Sequence, residues 1–180
     1  MTKLVKYSIF LTICTCWDLY TTWLRSPDLS REQNYIVKYF NLNFIGFIIF
    51  QISLLIFIII IIKRTIVTDY SLFPSSRVSF SQLCSCIYFG DSRSLRKIIL
   101  SSTSLDRSWY FLAGILIYAI PLIHIVAGIN NLILHISPNY VIWFNTSLKL
   151  KIIIGTFIVI IISLFLFLIR EYNAYKKKMG

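Results

Sequence analysis

Long uncharged apolar runs dominate the pattern of hydrophobic and polar positions along this chain. Residues 42–62 hold 21 consecutive uncharged positions, and residues 152–169 hold 18. A third apolar run covers residues 109–134 and is interrupted by Pro121 and His124. About 20 apolar residues form a helix that crosses a ~30 Å hydrocarbon core. Each run therefore predicts a transmembrane helix.

A fourth run, residues 4–24, is less regular because it contains Lys6 and Asp18. Its basic start followed by apolar residues also fits a signal peptide, but Trp17 and Asp18 stand where small residues would mark a cleavage site. We therefore expect a retained helix, and we predict an all-α integral membrane bundle in a single membrane domain, residues 1–180. Its four transmembrane helices are expected at about 4–24, 41–62, 109–130 and 151–169.

Composition agrees with a membrane class. The mean hydropathy is +0.76, and 57% of residues are hydrophobic. Charged residues make up 14% of the chain, well below the roughly 25% of a soluble domain. A soluble chain of this size would lack the polar surface needed to cover itself.

The net charge of +11 is explained by topology rather than by nucleic acid. Of the 18 Lys and Arg residues, 13 fall on the side that carries both termini and the loop at residues 65–107, and 5 fall on the other side. The positive-inside rule then places both termini and that loop in the cytoplasm. The expected partner of this basic side is the anionic inner leaflet of the membrane.

The cytoplasmic loop, residues 65–107, is rich in serine and shows no convincing fold of its own. Within it, Leu95 and Ile98 lie on one helical face, while Arg93, Arg96 and Lys97 take the other. This pattern predicts a short basic amphipathic segment in contact with the lipid surface. The alternative is a solvated helix packed on the bundle.

The second helix has a start signal before its apolar run. Ser30-x-x-Gln33 has the form of a capping box. A helix from residue 30 to residue 64 would be about 50 Å long at 1.5 Å per residue, which exceeds the membrane thickness. We therefore expect a bend near residues 41–43 or at Gly46.

Asp18 is the polar residue that most needs an explanation. Asp18, Thr21 and Thr22 fall at i, i+3 and i+4, so they share one helical face. Asp18 lies roughly 20 Å above Leu4 along the helix, in the outer half of the membrane. Its side chain is too short to reach the surface, and a charge inside a span costs about 2.5–3.5 kcal/mol at the centre on insertion scales. The carboxyl group therefore needs water, a partner or a proton.

His124 is expected at a depth in the membrane similar to that of Asp18, because it lies roughly 22 Å along its helix from Trp109. Gln51, on the helix that runs inward, is expected at a comparable depth. We predict a polar pocket that opens outward and holds an ion, a small solute or a lipid headgroup. Its residues would be Asp18, Thr21, Thr22, Glu32, Asn34, Gln51 and His124. The structural alternative is that the threonines bond to their own helix carbonyls and that His124 only packs between helices.

A motif accompanies these residues. Asp18-x-x-Thr21-Thr22, followed by Glu32-x-Asn34, resembles an uncharacterised family of small bacterial and archaeal membrane proteins. The family motif is Asp-x-x-Thr-Thr, a loop, then Glu-x-Asn-Pro; here Tyr35 replaces the proline, so the start of helix two differs. The resemblance covers about 30 residues and implies that these five residues act together. It implies no particular activity.

Metal and cofactor signals are weak. The four cysteines form two Cys-x-Cys pairs, at Cys14 and Cys16 and at Cys84 and Cys86. The first pair lies about 200° apart around a helix, which is poor geometry for one metal, and the second lies in the loop expected to be cytoplasmic, where thiols stay reduced. We expect no metal and no cofactor.

Two classes of function fit these features. The first is a non-enzymatic membrane component that assembles with a membrane-protein partner or with a second copy of itself. Its support is the small size, the long basic loop and the lack of a recognisable catalytic set. The alternative is a transporter or lipid-acting enzyme that uses a pocket around Asp18. We favour the first class.

Overall fold

The structure, a computed structural model, is helical over most of the residues that it describes. It describes residues 3–30, 35–66, 73–74, 76–89, 105–137, 139–140 and 148–180. The helices are α1 (Lys3–Arg25), α2 (Tyr35–Tyr39), α3 (Phe44–Ile66), α4 (Phe80–Phe89), α5 (Leu105–Ile136) and α6 (Leu148–Met179). No strand occurs in these ranges, so the predicted all-α class is confirmed.

Among the described residues, three helices are long and apolar enough to cross a membrane. They contain the spans Phe44–Lys63 in α3, Arg107–Ile136 in α5 and Ile154–Met179 in α6. These spans indicate a membrane protein, as expected. The 23-residue helix α1 is long enough but more polar, and it is not one of the three.

The chain forms two compact units. Unit 1 comprises Met1–Ile60 and Ala119–Val159, and unit 2 comprises Ile61–Tyr118 and Ile160–Gly180. Unit 1 therefore contains α1, α2, most of α3, the second half of α5 and the first part of α6. Unit 2 contains α4, the first half of α5 and the C-terminal part of α6.

The predicted bend in the second helix is present as a break. Helix α2 ends at Tyr39, and α3 begins at Phe44. Asn41 between them has φ 48°, a left-handed conformation that asparagine tolerates better than most residues. The side chain of Asn43 then caps α3, since its Oδ1 accepts a hydrogen bond from the Gly46 amide at 2.8 Å. Side-chain oxygens of this kind satisfy the free N–H groups of a first turn.

The loop between α3 and α5 contains a helix that the sequence analysis missed. Helix α4 begins with a capping box in which the Ser79 amide donates to Gln82 Oε1 at 2.9 Å and the Gln82 amide donates to Ser79 Oγ at 3.3 Å. Leu83 and Ile87 of α4 are buried in unit 2. Arg93, Arg96 and Lys97 lie outside the described residues, so the lipid-contacting segment stays a prediction.

Helix α5 extends beyond the predicted end of the third span. We expected the span to close at Asn130-Asn131, but the helix continues to Ile136. Asn131 is 7% exposed and has hydrogen-bond partners on α1, so its polarity does not end the helix. Helix α6 likewise reaches Met179, ten residues past the predicted span.

The core of unit 2 is aromatic. Phe167 is fully buried on α6 and lies directly against Gly114 of α5, where any Cβ atom would overlap its ring. Beside it, Tyr110 donates a hydrogen bond to Glu171 Oε2 at 2.7 Å. The other oxygen, Glu171 Oε1, accepts from Arg170 Nε at 2.8 Å. Tyr110 and Arg170 thus supply the hydrogen bonds that a buried carboxylate requires.

Candidate functional site

A polar seam joins α1 and α5 within unit 1. We use this name for Asp18, Thr22 and Arg25 of α1 together with His124 and Asn131 of α5. The residues of α1 are spaced at i, i+4 and i+7, and those of α5 at i and i+7, so each set lies along one helical face. Asp18 contacts His124, and the later residues Thr22 and Arg25 contact the later residue Asn131. The two helices therefore run in the same direction.

The lower contact of the seam is a carboxylate–histidine pair. Asp18 Oδ2 lies 2.8 Å from His124 Nδ1, and the two side chains are 14% and 9% exposed. Both oxygens of an ionised aspartate accept hydrogen bonds, so the Nδ1–H tautomer of His124 can donate to this carboxylate. The structure therefore brings together the two residues that the sequence predicts at the same depth in the membrane.

The upper contact of the seam is centred on Asn131. Its Nδ2 donates to Thr22 Oγ1 at 2.9 Å, and its Oδ1 accepts a hydrogen bond from Arg25 at 3.0 Å. A buried amide is satisfied when both its donor and its acceptor are used. The spacing of seven residues between Asp18 and Arg25 was the sequence signal for this contact, and the sequence analysis did not use it.

A close helix approach lies between the two contacts. Gly128 is buried and stands four residues after His124, and the indole ring of Trp17 occupies the space where a Cβ atom at residue 128 would be. Small residues allow helix backbones to come this close in membranes. Trp17 and Gly128 therefore set the helix separation at which Asp18 can meet His124.

Thr21 bonds to its own helix and not to α5, as the structural alternative to a pocket predicts. It is fully buried, and its hydroxyl group donates to the backbone carbonyls of Trp17 at 3.1 Å and Asp18 at 3.0 Å. These bonds lie within α1 and leave Thr21 outside the seam, whereas Thr22 contacts α5.

Gln51 lies on α3 close to the seam. It lines a narrow crevice with His124 and Thr15, among apolar residues that include Leu11 and Ile58. The space between these side chains is too small to admit a water molecule. Gln51 Oε1 is buried and has no hydrogen-bond partner among the described residues. Glu32 and Asn34, the remaining members of the predicted pocket, lie outside the described residues.

The turn after α1 has its own polar centre at Asp28. The Asp28 carboxylate accepts hydrogen bonds from the Ser30 amide at 3.1 Å, the Ser30 hydroxyl at 2.8 Å and the Ser26 hydroxyl at 3.2 Å. These bonds accompany Leu29, whose φ of 58° is a costly conformation for a bulky residue. Leu29 is nevertheless buried, in a cluster with Val37 and Phe47, and burial together with the Asp28 bonds offsets that cost.

The Asp28 turn is expected to weaken in acid. Hydrogen bonds, first from the Ser30 amide, hold the pKa of Asp28 below its ordinary value of 3.8. A lowered folded pKa means that the stabilisation is present above pH 3.8 and is lost as the pH falls through the folded pKa. The protection of the Ser30 amide against hydrogen exchange should therefore decrease over this acidic range in the wild-type protein. Asp28→Asn should show no such pH dependence; if it does, another group causes the change.

Comparison with known proteins places the chain in no group. No family model, curated protein or solved structure matches it. Within the described residues, no group of three or more His, Cys, Asp or Glu side chains is arranged to hold a metal ion. The polar seam is thus the candidate site that the geometry itself defines.

Proposed function

We propose that this chain is an integral membrane protein with four transmembrane helices, α1, α3, α5 and α6, and that it acts as a non-enzymatic component assembling with membrane partners. In this proposal both termini and the loop between α3 and α5 are cytoplasmic. The polar seam fastens α1 to α5 and has a structural role.

The parallel packing of α1 against α5 supports a fourth span. Helix α5 contains one of the three apolar spans, and α1 follows it in the same direction from the Asp18–His124 contact to the Arg25–Asn131 contact. The residues that lower the hydropathy of α1 are the ones bonded to α5. A polar helix whose polar groups are paired with a neighbouring span is compatible with the membrane interior.

The way in which the seam is satisfied supports a structural role. Each of its five side chains makes a hydrogen bond to another member of the seam across the two helices, which is the arrangement of a helix–helix joint. A ligand-binding pocket needs open space lined by convergent polar groups, whereas the crevice beside His124 has no room for a water molecule. This is the observation that carries the proposal.

Exposed apolar surface supports a partner in the membrane. Only 17% of the α6 span and 22% of the α3 span are buried within the chain. Phe157 and Phe165 of α6 are 64% and 58% exposed. Such surfaces face lipid or another membrane protein. The unpartnered Gln51 Oε1 favours the second candidate, a transporter or lipid-acting enzyme with a site near Asp18.

Asp18→Asn separates the two candidates, with Asn173→Gln as the control on an exposed polar residue. If the seam is structural, Asp18→Asn should lower the amount of folded protein in the native membrane several-fold, because a loss of 1–2 kcal/mol changes cellular abundance to that extent. Asn173→Gln should leave it unchanged. Quantitative blotting of membrane fractions measures both variants.

Cross-linking in the native membrane tests the assembly directly. The proposal expects a discrete adduct larger than the 21.1 kDa chain, and it expects the adduct to weaken in Asp18→Asn. A chain that stays monomeric after cross-linking contradicts the proposal. So does an Asp18→Asn protein that keeps its abundance and adduct but loses solute uptake or lipid turnover, which would establish the second candidate.

A further inference from the structure

Tyr175, near the end of α6, holds the segment that precedes α4. Its hydroxyl group donates to the Ser76 carbonyl at 2.6 Å and accepts a hydrogen bond from the Val78 amide at 2.9 Å. Both chain neighbours of Arg77 are therefore bonded to Tyr175. This places the backbone of Arg77 beside α6, and the Arg77 side chain is exposed.

Two aromatic rings and a lysine lie next to this contact. Phe80, the first residue of α4, packs edge-on against Tyr172 of α6, with the ring centroids 5.3 Å apart. The Nζ atom of Lys176 lies over the same tyrosine ring, 4.6 Å from its centroid, where the electrons of the ring attract a cation. Phe80 is 36% exposed, and Lys176 is exposed. We call Arg77, Phe80, Tyr172 and Lys176 the basic–aromatic surface.

The basic–aromatic surface lies at the depth of the lipid headgroups. The uncharged apolar run of α6 ends at Ile169, and the polar layer of a bilayer extends about 5–7 Å beyond the hydrocarbon on each side. Tyr172 lies about 4.5 Å beyond Ile169 along the helix axis. Helical side chains point back toward the start of their helix, and the ammonium group of Lys176 accordingly lies over the Tyr172 ring. This ammonium group is therefore held at the depth of the lipid phosphates.

The charge of this part of unit 2 is positive. Residues 76–89 and 172–180, which contribute the surface, contain four Lys and Arg residues and no acidic residue. Glu171, the nearest acidic residue along α6, is 1% exposed, and its charge is already paired with Arg170. An anionic group therefore complements the surface, and the phosphate of a membrane lipid is the anion found at this depth.

We infer that the basic–aromatic surface binds an anionic phospholipid of the leaflet in which α6 ends. Lys176 and Arg77 attract the phosphate group, Tyr172 positions the Lys176 ammonium group, and the exposed part of Phe80 packs against the upper carbons of the acyl chains. None of these residues belongs to the lipid-contacting segment predicted from the sequence at residues 93–97. The inference rests on the proposed transmembrane position of α6 and is independent of the proposed assembly with a partner.

Lys176→Gln tests the site, with Lys177→Gln as the matched control. Both variants remove one positive charge from the same exposed helix end, and Lys176 is the lysine whose ammonium group lies over Tyr172. Native mass spectrometry of the full-length protein, titrated with phosphatidylglycerol or with phosphatidylcholine, measures the dissociation constant of the first bound lipid. This titration is made on the chain by itself, so it can succeed where cross-linking to a partner fails.

Phosphatidylglycerol should bind the wild-type protein more tightly than phosphatidylcholine does. Lys176→Gln should weaken the binding of phosphatidylglycerol about fivefold, and Lys177→Gln by less than about twofold. Equal losses in the two variants would show a diffuse attraction of the whole helix end and would overturn the site. Equal affinities of the wild-type protein for the two lipids would overturn it as well.

Tyr172→Leu tests the aromatic ring without changing the net charge. It should weaken the binding of phosphatidylglycerol about threefold, because the ammonium group loses the ring that holds it. Lys176→Arg keeps a cation over the ring and should retain the wild-type affinity. An unchanged affinity in Tyr172→Leu overturns the positioning role of the ring. Tyr172 also packs against the core of unit 2; if Tyr172→Leu does not fold, the comparison of Lys176→Gln with Lys177→Gln still decides the site.

Discussion

Glu171→Gln is expected to lower the free energy of unfolding by about 2–3 kcal/mol. Glu171 is 1% exposed, and both its oxygens are bonded, one to Tyr110 and one to Arg170. The amide that replaces the carboxylate removes the counter-charge of Arg170 and places an N–H₂ group against one of the two donors. Breaking a buried ion pair costs about 3–5 kcal/mol; the 38% exposure of the Arg170 side chain reduces this loss.

Two further variants serve as comparisons for the destabilisation by Glu171→Gln. Tyr110→Phe removes one hydrogen bond to Glu171 and should cost about 1 kcal/mol. Asn173→Gln changes an exposed residue two positions away and should cost nothing measurable. Reversible denaturation in mixed micelles measures the three variants side by side. If Glu171→Gln unfolds at the same denaturant concentration as Asn173→Gln, the carboxylate contributes no stability.

Gly128→Ala is expected to destabilise unit 1 by about 1–3 kcal/mol, because overpacking a close contact costs this much. A Cβ atom at this position would overlap the rigid indole ring of Trp17, and that ring has no flexible end that could move aside. Displacing Trp17 would also displace its neighbour Asp18 from His124. The substitution therefore acts on the packing and on the polar seam together.

Gly155→Ala is the matched control for Gly128→Ala. Gly155 also lies within a helix, but a Cβ atom there would meet no atom within 4 Å. Alanine is favoured over glycine in a helix by about 1 kcal/mol, so Gly155→Ala should leave the protein equally or more stable. Thermal unfolding of both variants in the same lipid gives the comparison. Equal midpoints for the two would mean that Trp17 does not restrict residue 128.

The features that could be predicted from the sequence have local causes. Uninterrupted apolar runs specify α3 and the membrane part of α6, since a charge-free stretch of about 20 residues has few other stable environments. The break before α3 follows from Asn41 and Asn43, which favour a left-handed turn and a helix cap. The match between Asp18 and His124 follows from the constant rise of a helix, which fixes their heights once the span ends are known.

Helix α4 was missed because its stability is not local. A ten-residue helix is marginal by itself in water. Burial of Leu83 and Ile87 in unit 2 holds it in place, and no local pattern reveals that contact. The Ser79-x-x-Gln82 pattern of the capping box is present in the sequence. It does not stand out, because the loop contains many other serines.

The site could be predicted only in part, for a similar reason. The carboxylate and the histidine stand out because charge inside a span is rare. The contact of Gly128 with Trp17 leaves no mark in the sequence, since glycine and tryptophan both occur in membrane helices without contacting each other. Glu171 stands beside Arg170 at the end of an apolar run, and only tertiary packing shows that its carboxylate is buried.

The central claim is that α1 and α5 lie side by side and in the same direction, with Asp18 facing His124. Disulfide cross-linking in the native membrane tests this most directly, in a chain whose four cysteines are replaced by serine. Asp18→Cys with His124→Cys should cross-link rapidly under mild oxidation. Asp18→Cys with His135→Cys, three helical turns further along α5, should not. Cross-linking of the second pair but not the first would contradict the account.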